Sequence, residues 1–343
     1  MKNSCVTIVP IGSSSSGNSM YIRIDDVGFL VDAGVSYRRI NKCLRVANIH
    51  DIDALFISHT HSDHIAGLSS VIKNIKVPVF GSKQVLESLQ DVDNKEVLDF
   101  FVRKKTTKDL CVTEIKTYHD KVGSGAFVFE KNTVKLGYLT DTGMINEAML
   151  NALKGCQIVV IEANHDEELL KNGPYPKYLQ DRIRGDFGHL SNNQCLEACK
   201  LLQHHGTKYF FLAHLSQENN NPVIARQTIE SGLDLTRSFV YVLPKYDGNI
   251  FCVDVERCEK KTCNKKYHYC LVRLVDNGDK YWYLDKSNSH MKKERVVVPF
   301  GKNNKEKIGE IVDVKIYDES DLPYPINKTK TIIDVINTEI GKI

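Results

Sequence analysis

Hydrophobic positions along the chain fall into short runs separated by polar and glycine-containing breaks. The runs are Cys5–Ile11, Gly28–Asp32, Ala54–Ser58, Gly125–Glu130, Val134–Thr140, Gln157–Ile161, Tyr209–Ala213, Phe239–Val242 and Ile250–Val255. Most are short, rich in β-branched residues and bounded by Gly, Asp or Ser, the pattern of buried strands. Helical spacing lies between the later runs. Asn192–His205 carries apolar or small residues at that spacing behind Ser191, a suitable N-cap, and Pro222–Ile229 follows Asn221 in the same way. Strands dominate the opening and alternate with helices later. That order predicts a layered α/β domain with both sheet faces covered.

The pattern changes near Arg257. Glu256–Lys266 is charged and reads as a linker. Beyond it, Tyr269–Leu274 and Lys280–Asp285 flank Asn277-Gly278, a strong hairpin signal. Arg295–Phe300 and Ile308–Val314 suggest a second pair, so a small all-β barrel of SH3 or OB type is expected. The expected division is a large domain over 1–257, a linker over 258–268 and a small basic β-domain over 269–343. A length of 343 residues suits one large and one small domain.

Charge sharpens this division. The formal net charge is only +3, yet from Arg257 onward 18 Lys and Arg stand against 13 Asp and Glu. The basic excess is therefore concentrated in the tail. Ten cysteines are scattered through the chain, and the start lacks a signal-peptide pattern. Such thiols read as reduced, so a soluble cytoplasmic protein is expected. No apolar run approaches the ~18 residues that a membrane span needs.

The most informative stretch is Leu55–Gly67, LFISHTHSDHIAG. A strand ends at Ser58, and His59, His61, Asp63 and His64 follow at once. Alternate residues of an extended segment point to one side, so one short turn can offer imidazoles to one ion and Asp63 with His64 to another. Asp63 and His64 fall where a helix begins, a placement that suits a carboxylate. Three His and one Asp within six residues after a strand are a metal-site signal.

HTHSDH resembles the HxHxDH signature of the metallo-β-lactamase superfamily. The resemblance spans roughly residues 1–257 and implies a four-layer αββα sandwich of α/β class, with three further ligands at strand ends. His119 follows Val112–Thr117, Asp141 ends Leu136–Thr140 in TDTG, and His214 ends Tyr209–Ala213 in LAHLS. The resemblance implies that His59, His61 and His119 hold one metal, that Asp63, His64 and His214 hold a second, and that Asp141 bridges them. Taken singly, His119 is equally a surface turn histidine, Asp141 a helix cap and His214 a satisfied core histidine. Their order at strand ends favours ligation. A nitrogen and oxygen ligand set suits Zn, Mn or Fe(II), and two divalent ions, Zn or Mn, are expected. Two metals sharing a carboxylate can activate a bridging water as hydroxide and neutralise a phosphoryl oxygen. Asp63 is thereby a catalytic candidate as well as a ligand.

Further segments narrow the substrate. GSSSSGNS over 12–19, IEANHD over 161–166, GDFGHLSNN over 185–193 and AHLSQENN over 213–220 closely resemble the YycJ/WalJ-type branch, near the ribonuclease Z enzymes. That branch implies a DNA exonuclease of 5′-to-3′ polarity. The likeness to ribonuclease Z implies that Glu162 and His189 pair to protonate the leaving alkoxide, a step worth about 10²–10⁴-fold. A structural partner for a backbone N–H remains the alternative for Glu162, and a helix-capping contact for His189. Ser14, Ser15, Ser16 and Asn18 lie in a hydroxyl-rich loop that suits either close approach of backbone to phosphate or an ordinary turn. His165 is a candidate for contact with the residues around the second metal or with the substrate. Ser191, at a helix start beside His189, is another, because free backbone N–H groups there can hold a phosphate.

RVVVPFGKNNKEKIGEIVDV in the tail loosely resembles the small 3′-end-binding domain of the primosomal replication-restart helicase. In that reading Lys292, Lys293, Arg295, Lys302, Lys305 and Lys307 track a backbone, and Tyr281, Trp282 or Tyr283 stacks a base. Solvated lysines and core aromatics are the equal alternative. Cys258, Cys263, His268 and Cys270 match no common zinc spacing, and a reduced linker is the default. The leading expectation is a metal-dependent phosphodiesterase on nucleic acid, DNA before RNA, without membrane contact and compatible with homo-oligomers. A phosphodiesterase of small cyclic or nucleotide diesters, or a non-catalytic binding module of the same fold, are the competitors.

Overall fold

The structure, a computed structural model, describes residues 4–14, 17–245, 249–255, 266–285, 291–301, 303–318 and 329–335. Two compact units divide the chain, Met1–Cys258 and Glu259–Ile343.

In the first unit the strands are β1 (Cys5–Gly12), β2 (Ser19–Ile24), β3 (Val27–Val31), β4 (Ala54–Phe56), β5 (Val79–Ser82) and β6 (Lys95–Leu98). Then follow β7 (Arg103–Lys105), β8 (Cys111–Lys116), β9 (Gly125–Lys131) and β10 (Val134–Leu139). The unit ends with β11 (Ile158–Glu162), β12 (Tyr209–Ala213), β13 (Phe239–Val242) and β14 (Phe251–Asp254). Helices are α1 (Tyr37–Val46), α2 (Ser62–Ile65), α3 (Leu68–Asn74), α4 (Lys83–Ser88) and α5 (Glu147–Leu153). Further along come α6 (Glu167–Asn172), α7 (Lys177–Arg184), α8 (Asn192–His204) and α9 (Pro222–Ser231).

The strands form two sheets, β14-β1-β2-β3-β4-β5-β6 and β13-β12-β11-β10-β9-β8-β7. Their inner faces meet in one core that joins Ile8, Phe29 and Phe56 to Phe129, Val160 and Phe211. Phe129 packs 4.4 Å from Phe29 and 5.0 Å from Phe56 between ring centroids, geometries that add to burial. The outer face of the first sheet is covered by Ile40, Leu44, Leu68 and Val85 of α1, α3 and α4. Met149, Cys199 and Ile229 of α5, α8 and α9 cover the second. This is the αββα sandwich that the motifs imply. Ser191 caps α8 through a capping box with Gln194, and the Asn221 side chain caps α9.

Parallel pairing decides where the chemistry can sit. β3 and β4 run parallel, as do β10, β11 and β12. The C-terminal ends of parallel strands lie along one edge of a sheet, where irregular backbone can present side chains.

The second unit carries β15 (Lys266–Leu274), β16 (Lys280–Asp285), β17 (Arg295–Phe300), β18 (Lys305–Asp318) and β19 (Asp334–Val335), in the order β16-β15-β18-β17-β19. Gly278, at φ 75°, turns the β15–β16 hairpin. Residues 330–333 reach from the edge strand β16 to β17, since Lys330 and Ile332 bond to Leu284 of β16 and the Ile333 N–H donates to Val297 of β17. The sheet thus curls on itself around Cys270, Val272, Tyr283, Val296 and Ile311. β15 begins inside the span expected as linker, whose residues 258–265, with Cys258 and Cys263, lie outside the described residues. Tyr283 is a core residue here, Trp282 lies under Lys315, and Tyr281 is exposed. Lys292 pairs with Asp313 and Lys307 with Asp276, while Lys302 is outside the described residues. Among the described residues no helix is long and apolar enough to cross a membrane.

Candidate metal centre

Strand ends deliver the site. Asp32 follows β3, His59 follows β4, Asp141 follows β10, Glu162 ends β11 and His214 follows β12. Asp32, Asp141 and His214 adopt the left-handed backbone conformation, at φ 61°, 58° and 56°. That conformation is disfavoured for residues with a Cβ and is held at functional sites by surrounding contacts. The His214 N–H is fixed by Ser13 Oγ at 2.9 Å. Gly34 brings the β3 end against the metal-motif turn, where a Cβ would stand 1.6 Å from the Asp63 carbonyl oxygen.

Two groups of donors converge. His59 Nε2 and His119 Nε2 lie 3.0 and 3.1 Å from His61 Nδ1. Asp63, His64 and His214 form a second group, and within each group one donor atom per residue lies inside 4.8 Å of the others. Asp141 stands between them, grouped with His59 and His64 on one side and with Glu162, His189 and His214 on the other. Its Oδ2 and the His214 Nε2 are buried without a hydrogen-bond partner. Buried polar atoms are ordinarily satisfied. Lone pairs meeting in pairs and triples at buried, unpartnered atoms fit divalent cations, and the donor set is one such ions take.

The two groups differ electrostatically. Burial, with the charge of neighbouring histidines, holds His59 well below the usual imidazole range and lowers His61 and His119 as well. Burial is the largest single influence on His64 and His214 and opposes their charge, but Asp141 and the other neighbouring carboxylates together outweigh it. His64 is raised, with Asp32 helping, and His214 is raised to about 10, with Glu162 helping. Asp141 is itself held well below the carboxylate range against burial, chiefly by His214 and His64.

Outer partners fix ring orientation, as they do at metal sites generally. The fully buried Asp32 contacts His64 Nδ1 at 2.8 Å and accepts from the Ser58 N–H at 2.8 Å. Asp120 Oδ1 lies 3.0 Å from His61 Nε2 and is gripped by Arg182. Glu162 Oε1 lies 2.8 Å from both His189 Nδ1 and His214 Nδ1, and its Oε2 accepts from the N–H groups of Thr142 and Leu190. Glu162 thus contacts both the His189 ring and two backbone N–H groups. His189 does not cap a helix, since Ser191 does so, and Asp141 does not cap α5, whose N-cap is Asn146. His119 is buried, not a surface turn residue.

A cavity of about 310 Å³ opens over the centre, with His61, Asp63, His119, Asp141, His189 and His214 in its wall. Asn164, missed in the sequence, lines it too. Ser14, Asn18, His165 and Ser191, read from the sequence as substrate contacts, are buried and are not among the residues that line it. Asn18 instead reaches Asp63 and His64 at 3.0 Å, and Ser191 Oγ donates to Glu167. Ser15 and Ser16 lie outside the described residues. Asp32 and Asp120 were also missed, and their signals are an Asp ending a strand and an Asp directly after a ligand histidine.

A family model described as Beta-lactamase superfamily domain matches residues 28–215. The chain is 32% identical over 231 residues to Exodeoxyribonuclease YycJ of Bacillus anthracis, covering 65% of this chain and 88% of that protein. It is 34% identical over 232 residues to Exodeoxyribonuclease WalJ of Streptococcus pneumoniae, covering 65% and 86%. Among solved structures, the metallo-β-lactamase-fold protein YhfI from Bacillus subtilis aligns with a TM-score of 0.57 at 15% identity, covering 73% of this chain and all of that one. Fold, ligand groups and relatives agree: the chain belongs to the β-lactamase superfamily and is a hydrolase of the metallo-β-lactamase fold.

Proposed function

We propose that this protein is a dinuclear metal-dependent phosphodiesterase that removes nucleotides from the end of a nucleic-acid strand, with DNA the preferred substrate and 5′-to-3′ the polarity. The named activity of the YycJ and WalJ relatives supports the substrate class. The observation that carries the reading is the His189–Glu162 contact of 2.8 Å beside Asp141. With Nδ1 committed to Glu162, His189 keeps Nε2 for the cavity it lines. A nucleic-acid ester expels a basic alkoxide, so a positioned proton donor matters in proportion to that basicity. Lactams and activated esters need such a donor less.

His59, His61 and His119 would hold one ion, and Asp63, His64 and His214 the other, with Asp141 shared. Two divalent ions so held, Zn or Mn, supply an activated water and neutralise charge on a phosphoryl oxygen. His189 gives its proton from Nε2 to the leaving oxygen. Glu162 keeps the ring in the tautomer with Nδ1–H and balances the charge of its protonated form.

The test compares two leaving groups on Mn²⁺-loaded protein. His189→Ala should slow cleavage of a labelled DNA strand by about 10²-fold or more. It should slow bis(p-nitrophenyl) phosphate far less, because nitrophenolate leaves without a proton, and metal content should be unchanged. Equal losses on both substrates would remove His189 as the acid. Hydrolysis of the small diester alone, by the unaltered protein, would overturn the nucleic-acid reading.

A further inference from the structure

The cavity over the centre has two unlike walls. One is the polar set of ligand residues and His189. The other is built by α7 and its flanks, where Tyr175, Leu179, Ile183 and Phe187 follow one another at four-residue steps and all line the cavity. Leu179 and Ile183, one turn apart, share a face of α7, and Tyr175 and Phe187 extend that apolar wall from the segments before and after the helix. Tyr175, Leu179 and Ile183 are half-buried, and Phe187 is 60% exposed. An aromatic ring left open beside a charged centre contributes little to the core.

The wall is held firmly. Gln180 Nε2 donates to the Tyr175 carbonyl at 2.9 Å, and the His189 N–H donates to the Ile183 carbonyl at 2.9 Å. Gly143, in the segment after Asp141, packs so closely under the end of α7 that a Cβ there would stand 2.3 Å from the Gly185 carbonyl oxygen. Arg182, on the same helix, grips Asp120 and so ties the wall to His61.

We propose that this wall is the platform for the base of the nucleotide being cleaved, with Phe187 the ring on which that base stacks, and that the substrate end must enter unpaired. The proposal deepens the nuclease reading and rests on it. An amphipathic cavity suits an amphipathic ligand, with phosphate at the metal wall and the flat base at the other. Phe187 stands two residues before His189, within a single nucleotide's reach of the proton donor. The volume, about 310 Å³, lies at the small end of ligand pockets and suits one nucleotide rather than a base pair. A base engaged in a duplex cannot present its face to a side chain, so it must leave the stack first. Stacking on an aromatic ring accepts every base, as removal of successive nucleotides of any sequence requires.

The experiment uses the full-length, Mn²⁺-loaded protein and two single strands of one sequence. One has ordinary terminal nucleotides, and the other has abasic tetrahydrofuran residues at both ends. The readout is the single-turnover rate of the first release. The unaltered protein should release the ordinary terminal nucleotide about tenfold or more faster than the abasic one. Phe187→Ala should slow the ordinary strand to nearly the abasic rate while keeping its metal, and Phe187→Tyr should retain the discrimination. A blunt duplex should be cut more slowly than the same strand alone. Equal rates on ordinary and abasic ends, or full discrimination by Phe187→Ala, would overturn the platform and leave the nuclease reading standing. A blunt duplex cut as fast as the single strand would overturn unpaired entry. Cleavage of neither strand, with bis(p-nitrophenyl) phosphate still hydrolysed, would overturn both the nuclease reading and the platform.

Discussion

The second sheet buries two glutamates completely, Glu162 at the end of β11 and Glu114 in the middle of β8, and leaves them in opposite states. Burial opposes ionisation of Glu162, yet the charge and hydrogen bonds of His189 and His214 hold it down to about 2. Burial pushes Glu114 up to about 9, and neither of its carboxyl oxygens has a hydrogen bond of normal geometry. Equal burial therefore says nothing about function; the partners decide it. Glu162 ends its strand at the sheet edge, where loops can bring histidines and N–H groups to it. Glu114 faces the inter-sheet layer beside Gly125, where a Cβ would stand 2.2 Å from its Oε1. An ionised group there would have no counter-charge.

The largest effect should come from breaking the partner set of Glu162. As a carboxylate it accepts from two imidazoles and two backbone N–H groups. An amide has one acceptor and one donor end, so Glu162→Gln turns an NH₂ toward donors on one side. Each buried group so stranded costs about 1–3 kcal/mol. DNA cleavage should fall by about 10³-fold, with metal affinity weakened through His214. Steady-state cleavage and metal titration check this. An active Glu162→Gln variant would show that Glu162 only packs.

Glu114 should behave in the opposite sense, through stability alone. Its folded-state value is raised above the unfolded one, near 4.5. Below that unfolded value both states are protonated and no penalty exists. As pH rises, the folded state keeps a proton that the unfolded state has lost, so stability declines until about 9. The slope is at most about 1.4 kcal/mol per pH unit, hence up to about 3 kcal/mol by neutral pH. Glu114→Gln should flatten this decline without touching activity. Denaturant melts from pH 5 to 9 measure it, and a slope unchanged in the variant would mean that Glu114 ionises in place.

Much of the site was legible because metal chemistry constrains residue type and spacing together. HTHSDH and the histidines and aspartate at later strand ends need no knowledge of packing to be noticed. Their outer partners were not legible. Asp32 lies 32 residues before His64, and only the parallel pairing of β3 with β4 brings them together. α7 escaped notice because KYLQDRIR looks like a solvated helix; its apolar stripe gains meaning only opposite the ligands. β5 and β6 were missed for a similar reason. They are short parallel strands, and β6 is the polar edge of its sheet. Glu114 was invisible for the converse reason. Both faces of β8 are covered, so alternation along it marks no polar side.

Asp120 sharpens the lesson, since it reverses Glu114 in both respects: its side chain is 33% exposed, yet it has a defined partner at the centre. Its Oδ1 lies at His61 Nε2, which leaves Nδ1 as the nitrogen turned toward His59 and His119. Losing the acceptor frees the ring to flip and to exchange tautomers, while the ligand itself remains. Asp120→Ala should therefore weaken metal binding by about tenfold, at the lower end for an outer partner. Asp120→Asn keeps an oxygen acceptor for Nε2–H and should restore most of that loss. Competition titration with a chromogenic chelator, reading the tighter-bound ion, separates the three proteins. Because Asp120 is partly exposed, thermal stability without metal should hardly change in either variant. If Asp120→Asn were as weak as Asp120→Ala, its charge rather than its acceptor would be what His61 requires. Equal affinity in all three proteins would mean that contact with a ligand histidine, taken alone, marks a functional carboxylate no better than burial does.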